Sequence, residues 1–103
     1  DRLSGHFVTG HIDTMGIIRK KDYASNNFCF EIAIPLKFAN YVFPKGSIAI
    51  DGISLTVVDR WSDRFTVYVI PHTLKNTALN FKGPSYKVNI EFDILAKAAN
   101  PSS

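Results

Sequence analysis

Three stretches of the chain carry side chains able to do chemistry at spacings that group them on common faces. The first is Ser4-Gly5-His6-Phe7-Val8-Thr9-Gly10-His11-Ile12-Asp13, where two Gly-His pairs stand five residues apart. In an extended strand an odd spacing sends His6 and His11 to opposite faces, so without a bulge the two imidazoles cannot share one metal. Two readings stand. Either one histidine satisfies a buried backbone group while the other faces solvent, or Gly10 lets a flat ligand approach the backbone with His11 at its edge. In the second stretch, Lys45-Gly46-Ser47-Ile48-Ala49-Ile50-Asp51-Gly52-Ile53-Ser54-Leu55-Thr56-Val57, Ser54 and Thr56 share a strand face and project hydroxyls to one side. From the residues alone, ordinary surface hydroxyls are the favoured reading of that pattern. Nothing in the sequence orients a His and an Asp onto either hydroxyl as a nucleophilic triad. Gly46 and Gly52 lack the spacing and the following helix of a phosphate loop. The third stretch, Val69-Ile70-Pro71-His72-Thr73-Leu74, reads as a strand running into a short helix. A helix start offers unpaired N–H groups that suit the carbonyl oxygens of a heterocycle, and Thr73 is equally placed to cap the turn.

The elements that must position these groups belong to one domain, since the chain has 103 residues. A chain of that length buries roughly 65% of the surface it exposes when unfolded, enough for a core. With 46% hydrophobic and 20% charged residues, disordered and collagen-like classes are excluded. Eight Phe and four Tyr favour half-buried strands over helices. The net charge of +3 is spread along the chain, and its only basic run, Arg19-Lys20-Lys21, reads as a solvated turn rather than a nucleic-acid face. The sole cysteine, Cys29, excludes an internal disulfide and a zinc site of several thiolates; between Phe28 and Phe30 it reads as a buried, inert thiol. No apolar run approaches about 20 residues, so no membrane span is expected. No signal-peptide pattern is visible, and the start at Asp1 without Met reads as a piece cut from a longer protein.

Period-two alternation dominates. In residues 27–34 Phe28, Phe30, Ile32 and Ile34 share one face; in 64–70 the inward set is Phe65, Val67 and Val69; in 86–93 it is Tyr86, Val88, Ile90 and Phe92. A long strand is expected over residues 6–18, bent or closely approached at Gly10 and Gly16. Strands over 47–50 and 53–59 flank Asp51-Gly52, a hairpin signal, and a second turn falls at Ser62-Asp63. Short helices are expected over 35–41 and 71–79, each opened by a proline, and the tail from Ile94 begins another. About six strands with one or two short helices predict an all-β fold, a small antiparallel barrel.

Four motifs in register carry a resemblance: Gly-His-Xaa-Xaa-Thr-Gly-His-Ile; Lys-Gly-Xaa-Ile-Xaa-Ile-Asp-Gly-Ile-Ser-Leu-Thr-Val; Ile-Pro-Xaa-Thr-Leu-Xaa-Xaa-Thr; and Val-Asn-Ile-Glu-Xaa-Asp. Their order and spacing, from Gly5 to Asp93, resemble the second barrel of riboflavin synthases. The resemblance implies a six-stranded antiparallel Greek-key barrel over residues 1–97, with 98–103 a truncated C-terminal tail. It implies a protein of two tandem barrels, assembled as a homotrimer in the cytoplasm. Two molecules of 6,7-dimethyl-8-ribityllumazine are there converted to riboflavin and a ribitylamino-pyrimidinedione, with no metal or redox cofactor. Each site lies between the N-terminal barrel of one subunit and the C-terminal barrel of its neighbour.

Carried over position by position, Gly10, His11 and Ile12 line the ligand on one side, and Ser54, Leu55 and Thr56 form the opposite strand, with Lys45 at the rim. Val69, Ile70, Pro71, His72, Thr73 and Leu74 contact the ring through backbone groups. His11, Ser54 and Asp93 are the candidates for catalysis. The first barrel, with its Met-Phe-Xaa-Gly-Ile start, is absent, and the helix credited with trimer formation is cut to its opening residues. This barrel alone is therefore expected to be a monomer or homodimer, a weak ligand binder and a poor catalyst. The alternative within the same fold is a lumazine protein that carries its chromophore as an antenna without catalysis. A nucleic-acid-binding barrel is disfavoured because most Phe residues lie on inward faces.

Overall fold

A computed structural model describes residues 10–98. Six strands close into a barrel in the order β1-β2-β5-β4-β3-β6, every neighbouring pair antiparallel. They are β1 (Thr14–Ala24), β2 (Asn27–Ala33), β3 (Ser47–Ile50), β4 (Ile53–Arg60), β5 (Arg64–Val69) and β6 (Lys87–Phe92). β3, β4 and β5 follow one another as hairpins, and β6 returns by a long connection to lie beside β3. That is the Greek-key arrangement that the resemblance implies.

Alternation sorts residues to the inside or outside of the closed wall. Phe30, Ile32, Ile48, Ile50, Val57, Phe65, Val67, Val69, Val88, Ile90 and Phe92 fill the interior, with almost no exposure. Short helices plug the ends. A 3₁₀ helix (Leu36–Tyr41) sets Phe38 and Tyr41 against Phe92, with ring centroids 5.4 and 5.3 Å apart. Helix α1 (Pro71–Lys75) and a second 3₁₀ helix (Ala78–Phe81) bury Leu74 and Leu79. Helix α2 (Ile94–Ala98) follows β6. Both turns read from sequence are present, and at Asp51-Gly52 both residues have positive φ (49° and 82°), the geometry that turn type demands.

Three expectations need correction. The described part of the first strand begins at Thr14 rather than before it, and it continues past Ile18 to Ala24; residues 1–9, including His6, lie outside the described residues. The run Arg19-Lys20-Lys21 is therefore strand, not turn. A bulge between Ile18 and Lys20 shifts the alternation by one, so Lys21 pairs with Phe30 on the inward side. Its ammonium then finds acceptors at the barrel end, donating to the carbonyls of Lys82 (2.9 Å) and Asn80 (3.1 Å). Tyr86 does not continue the inward face of β6 and is 54% exposed. The left-handed Ser85 (φ 80°) reverses the chain just before it, and β6 starts only at Lys87.

Gly16 shows the close approach read from sequence: a Cβ there would stand 2.7 Å from Ile32 Cγ2 and 3.1 Å from the Ala33 carbonyl oxygen. Gly16→Ala is expected to destabilise the barrel by about 1–3 kcal/mol through overpacking. A urea unfolding curve with a lower midpoint and an unchanged slope is the check.

Candidate functional site

Closure of the barrel brings together, on its outer wall, residues from distant motifs. The registers Ala49↔Ser54 and Ala49↔Glu91 put Glu91, Ala49 and Ser54 in one row across β6, β3 and β4. The pair Ser47↔Thr56 begins a second row, and the β3–β6 register carried one residue further sets Asp93 beside Ser47. Strands about 4.8 Å apart thus place Ser54 and Thr56 within about 10 Å of the Glu91 and Asp93 backbones. The middle strand presents Ala49 and Ser47 on this face, Ala49 fully buried and Ser47 half-buried.

A cleft opens at each end of the face. The larger, about 440 Å³, is lined by Gly10, Ile12, Ala49, Asp51, Gly52, Ala78, Lys82, Asn89, Ile90 and Glu91. That volume is in the range of small-molecule sites. Gly10 has φ 84°, and a Cβ there would meet nothing within 4 Å, so this position asks for glycine by its conformation rather than by crowding. A smaller cleft, about 200 Å³, is lined by Tyr41, Phe43, Gly46, Ser47, Asp93, Leu95 and Ala96.

Fixed polar groups frame the larger cleft. Asp51 is largely enclosed; its Oδ1 accepts the Asn89 N–H (2.8 Å) and its Oδ2 accepts the Lys82 ammonium (2.7 Å). Lys82 donates also to the Lys87 carbonyl (2.9 Å), so both charges are held in place. Asp13 works the same way at the barrel end, accepting the Phe92 N–H at Oδ2 (2.8 Å) and the Lys97 ammonium at Oδ1 (3.1 Å). Asp93 accepts the Leu95 N–H at Oδ1 (3.0 Å), across the first turn of α2.

The residues singled out from sequence divide accordingly. Gly10 and Ile12 reach the larger cleft, and His11 stands exposed between them in sequence. Ser54 is half-buried and Thr56 exposed on the outer face, while Leu55 packs against the core on the inner face and offers the outside only its backbone. Val69 and Leu74 are likewise core residues. Ile70, Pro71 and His72 are exposed, and Thr73 makes no cap: Ile70 holds the cap position of α1 without a side-chain hydrogen bond. Lys45 sits in the turn before β3 with φ 69°, at the far end of that strand from Asp51. It belongs to the Asp93 end of the face, not to the larger cleft. Sequence reasoning missed Ala49, Asn89 and Glu91, which period-two alternation does put on the outer wall. It missed Ala78 and Lys82 for want of any local signal, because a returning loop delivers them. Among the described residues no group of three or more His, Cys, Asp or Glu side chains is arranged to hold a metal ion.

Comparison with known proteins identifies the pattern. The family model for the lumazine binding domain matches residues 9–93. The riboflavin synthase of Actinobacillus pleuropneumoniae is 47% identical over 96 residues, covering 93% of this chain and 45% of the relative. That of Bacillus subtilis (strain 168) is 36% identical, with the same coverage. The chain thus spans a little under half the length of these relatives. Among solved structures, LumP complexed with riboflavin superposes with a TM-score of 0.81 at 18% identity, covering 89% of this chain and 50% of that one. LumP complexed with 6,7-dimethyl-8-(1'-D-ribityl) lumazine gives 0.75 at 23% identity, with 84% and 48% covered. At those identities the likeness is one of fold.

Two outcomes follow from the framework of the site. Asp51→Ala is expected to cost about 1.5–3 kcal/mol, since it orphans a charged partner and a backbone donor. Asp51→Asn should cost less, because Asn tolerates the left-handed turn and keeps an acceptor for Asn89; paired urea titrations compare them. Burial, and then the negative charges of Asp22, Glu31 and Asp59, push the Cys29 thiol above its ordinary value. Less thiolate is therefore present at any given pH, and the iodoacetamide rate should reach half its maximum above about pH 8.5, the value for a free thiol.

Proposed function

This chain belongs to the lumazine-binding domain family, and on that premise we propose that it is the second barrel of a riboflavin synthase, holding 6,7-dimethyl-8-ribityllumazine against the outer face of β4, β3 and β6. One observation carries the reading: residues of three separated motifs, Gly10–Ile12, the Asp51-Gly52 hairpin and Asn89–Glu91, converge on a single cleft of about 440 Å³. That cleft adjoins the row of Glu91, Ala49 and Ser54, in which Ala49 is fully buried and Ser54 half-buried, with the exposed Thr56 hydroxyl in the next row. Ligands named for LumP, a lumazine and riboflavin, support the ligand class through the shared fold. Identities of 35–47% to proteins named riboflavin synthase favour the enzyme over a non-catalytic antenna protein.

In the proposed reaction one lumazine passes a four-carbon unit to another, giving riboflavin and 5-amino-6-ribitylamino-pyrimidinedione. The C7 methyl of a lumazine loses a proton readily because the carbanion delocalises into the ring. The protein's part is to stack two rings and to move protons. Ordering two reactants in this way is worth a large share of a barrier. His11, exposed beside the cleft, takes the role of acid or base near neutral pH. Ser54 polarises or orients the ring from β4, and Asp93 acts from the far row of the face. Val69 ends β5, the strand next to β4, and Ile70 leads into helix α1; the backbone of residues 69–74 is assigned to the ring edge, with Lys45 at the rim. The second ring comes from the N-terminal barrel of a neighbouring subunit in a cytoplasmic homotrimer, so this barrel by itself binds ligand and turns it over poorly.

A fluorescence titration of 6,7-dimethyl-8-ribityllumazine with this chain, followed also for riboflavin, tests the proposal. Saturable binding with little riboflavin is the expected result. Efficient turnover would mean that two copies assemble a working site as a homodimer. Absence of binding by the folded chain would remove the proposed site. In the two-barrel protein, His11→Ala, Ser54→Ala and Asp93→Asn should each lower turnover by about 10²-fold or more if they act on protons. Wild-type rates in all three would remove the catalytic assignment.

A further inference from the structure

Glu91 is 6% exposed although it lies on the outer wall of the barrel, in the row with Ala49 and Ser54. A carboxylate so enclosed is costly to desolvate unless hydrogen bonds compensate it. Its Oε1 accepts the backbone N–H of Gly10 at 3.2 Å, a contact spanning 81 positions of sequence. Gly10 presents that N–H from a left-handed conformation (φ 84°) that other residues rarely adopt. Three residues on, the Asp13 N–H donates to the Ile90 carbonyl (2.9 Å), and the Asp13 carboxylate accepts the Phe92 N–H (2.8 Å).

The tripeptide Gly10–Ile12 is therefore fastened at both ends to three successive residues of β6, Ile90, Glu91 and Phe92. Of the groups that β6 contributes to these fastenings, only that of Glu91 is a side chain, with no part in the sheet ladder. Gly10, Ile12 and Glu91 all line the larger cleft. We infer that Glu91 is the positioning residue that holds the Gly10–Ile12 segment, and with it His11, at the mouth of the ligand cleft. The inference rests on the proposed function for its consequence, ligand binding beside His11, but not for the tether itself. Glu91 acts through Gly10: its carboxylate fixes where the histidine stands.

The test compares Glu91→Ala and Glu91→Gln in this chain, read by lumazine titration and by NMR of the Gly10 amide and the His11 imidazole. Gln keeps a side-chain carbonyl that can accept the Gly10 N–H; Ala removes the acceptor. With the tether lost, the Ala variant should weaken lumazine binding about tenfold or more, shift the His11 resonances and speed exchange of the Gly10 amide, while the Gln variant stays within about twofold of wild type. Wild-type affinity and unchanged His11 signals in the Ala variant would overturn the inference. So would a Gln variant as impaired as Ala, since the charge rather than the tether would then matter. Should Glu91→Ala fail to fold, Gly10→Ala strains the other end of the same contact; unchanged affinity and an unchanged His11 spectrum there would overturn it equally. A wild-type chain that does not bind lumazine defeats the proposed function alone, and the two NMR readouts still decide the tether.

Discussion

Strand β6 hydrogen-bonds to β1 on one side and to β3 on the other, and through that double pairing the sheet closes on itself. Closure removes free sheet edges and divides every strand into an inner and an outer file. Without it, Val88, Ile90 and Phe92 have no interior to fill, and Asn89, Glu91 and Asp93 have no neighbours from β3 and β4. The apolar core and the candidate ligand face are two sides of the same constraint. The residues that anchor β6 at its ends confirm how much is fastened there: Asp51 holds the Asn89 N–H, and Asp13 holds the Phe92 N–H.

The outer face obeys a different economy from the interior. Inside, large side chains interlock; outside, across β3 and β4, the side chains are alanine, serine and threonine. Part of that outer face is nevertheless covered within its own chain, since Ala49 and Glu91 are buried there. Charged groups stand around its margin, and Asp51, Lys82 and Asp13 are fixed there by backbone partners. Asp51 and Lys82 hold one another and two backbone groups, which gives the larger cleft a rim that does not have to reorganise when a ligand arrives. Asp93, just past the end of β6, stands at the opposite end beside the smaller cleft, so Glu91 and Asp93 border different parts of the face.

Much of this was legible beforehand. Phe28, Phe30 and Ile32 alternate with Cys29 and Glu31, and Asp51-Gly52 marks its own hairpin, because the two-residue period and left-handed turns are properties of a few adjacent residues. The errors came where local patterns break. A bulge at Arg19 turned an apparent basic turn into strand and sent Lys21 inward toward carbonyls at the barrel end. The left-handed Ser85 swung Tyr86 out of the face that alternation assigned to it. Neither device leaves a clear mark in composition.

By itself, then, the sequence determined the all-β class, the inner and outer files of β2, β5 and β6, two of the turns, and, through four motifs in register, the family. These depend on residue type and short spacing, which act before the chain has closed. Only the tertiary structure decided which outer residues share a face. Glu91 meets Gly10, Lys82 meets Asp51 and Ala49 meets Glu91 because strand register, loop return and barrel closure set distances between positions far apart in the chain. A hydrogen bond of about 3 Å between residues 10 and 91 has no signature in either neighbourhood, since it exists only once every strand between them has found its partner.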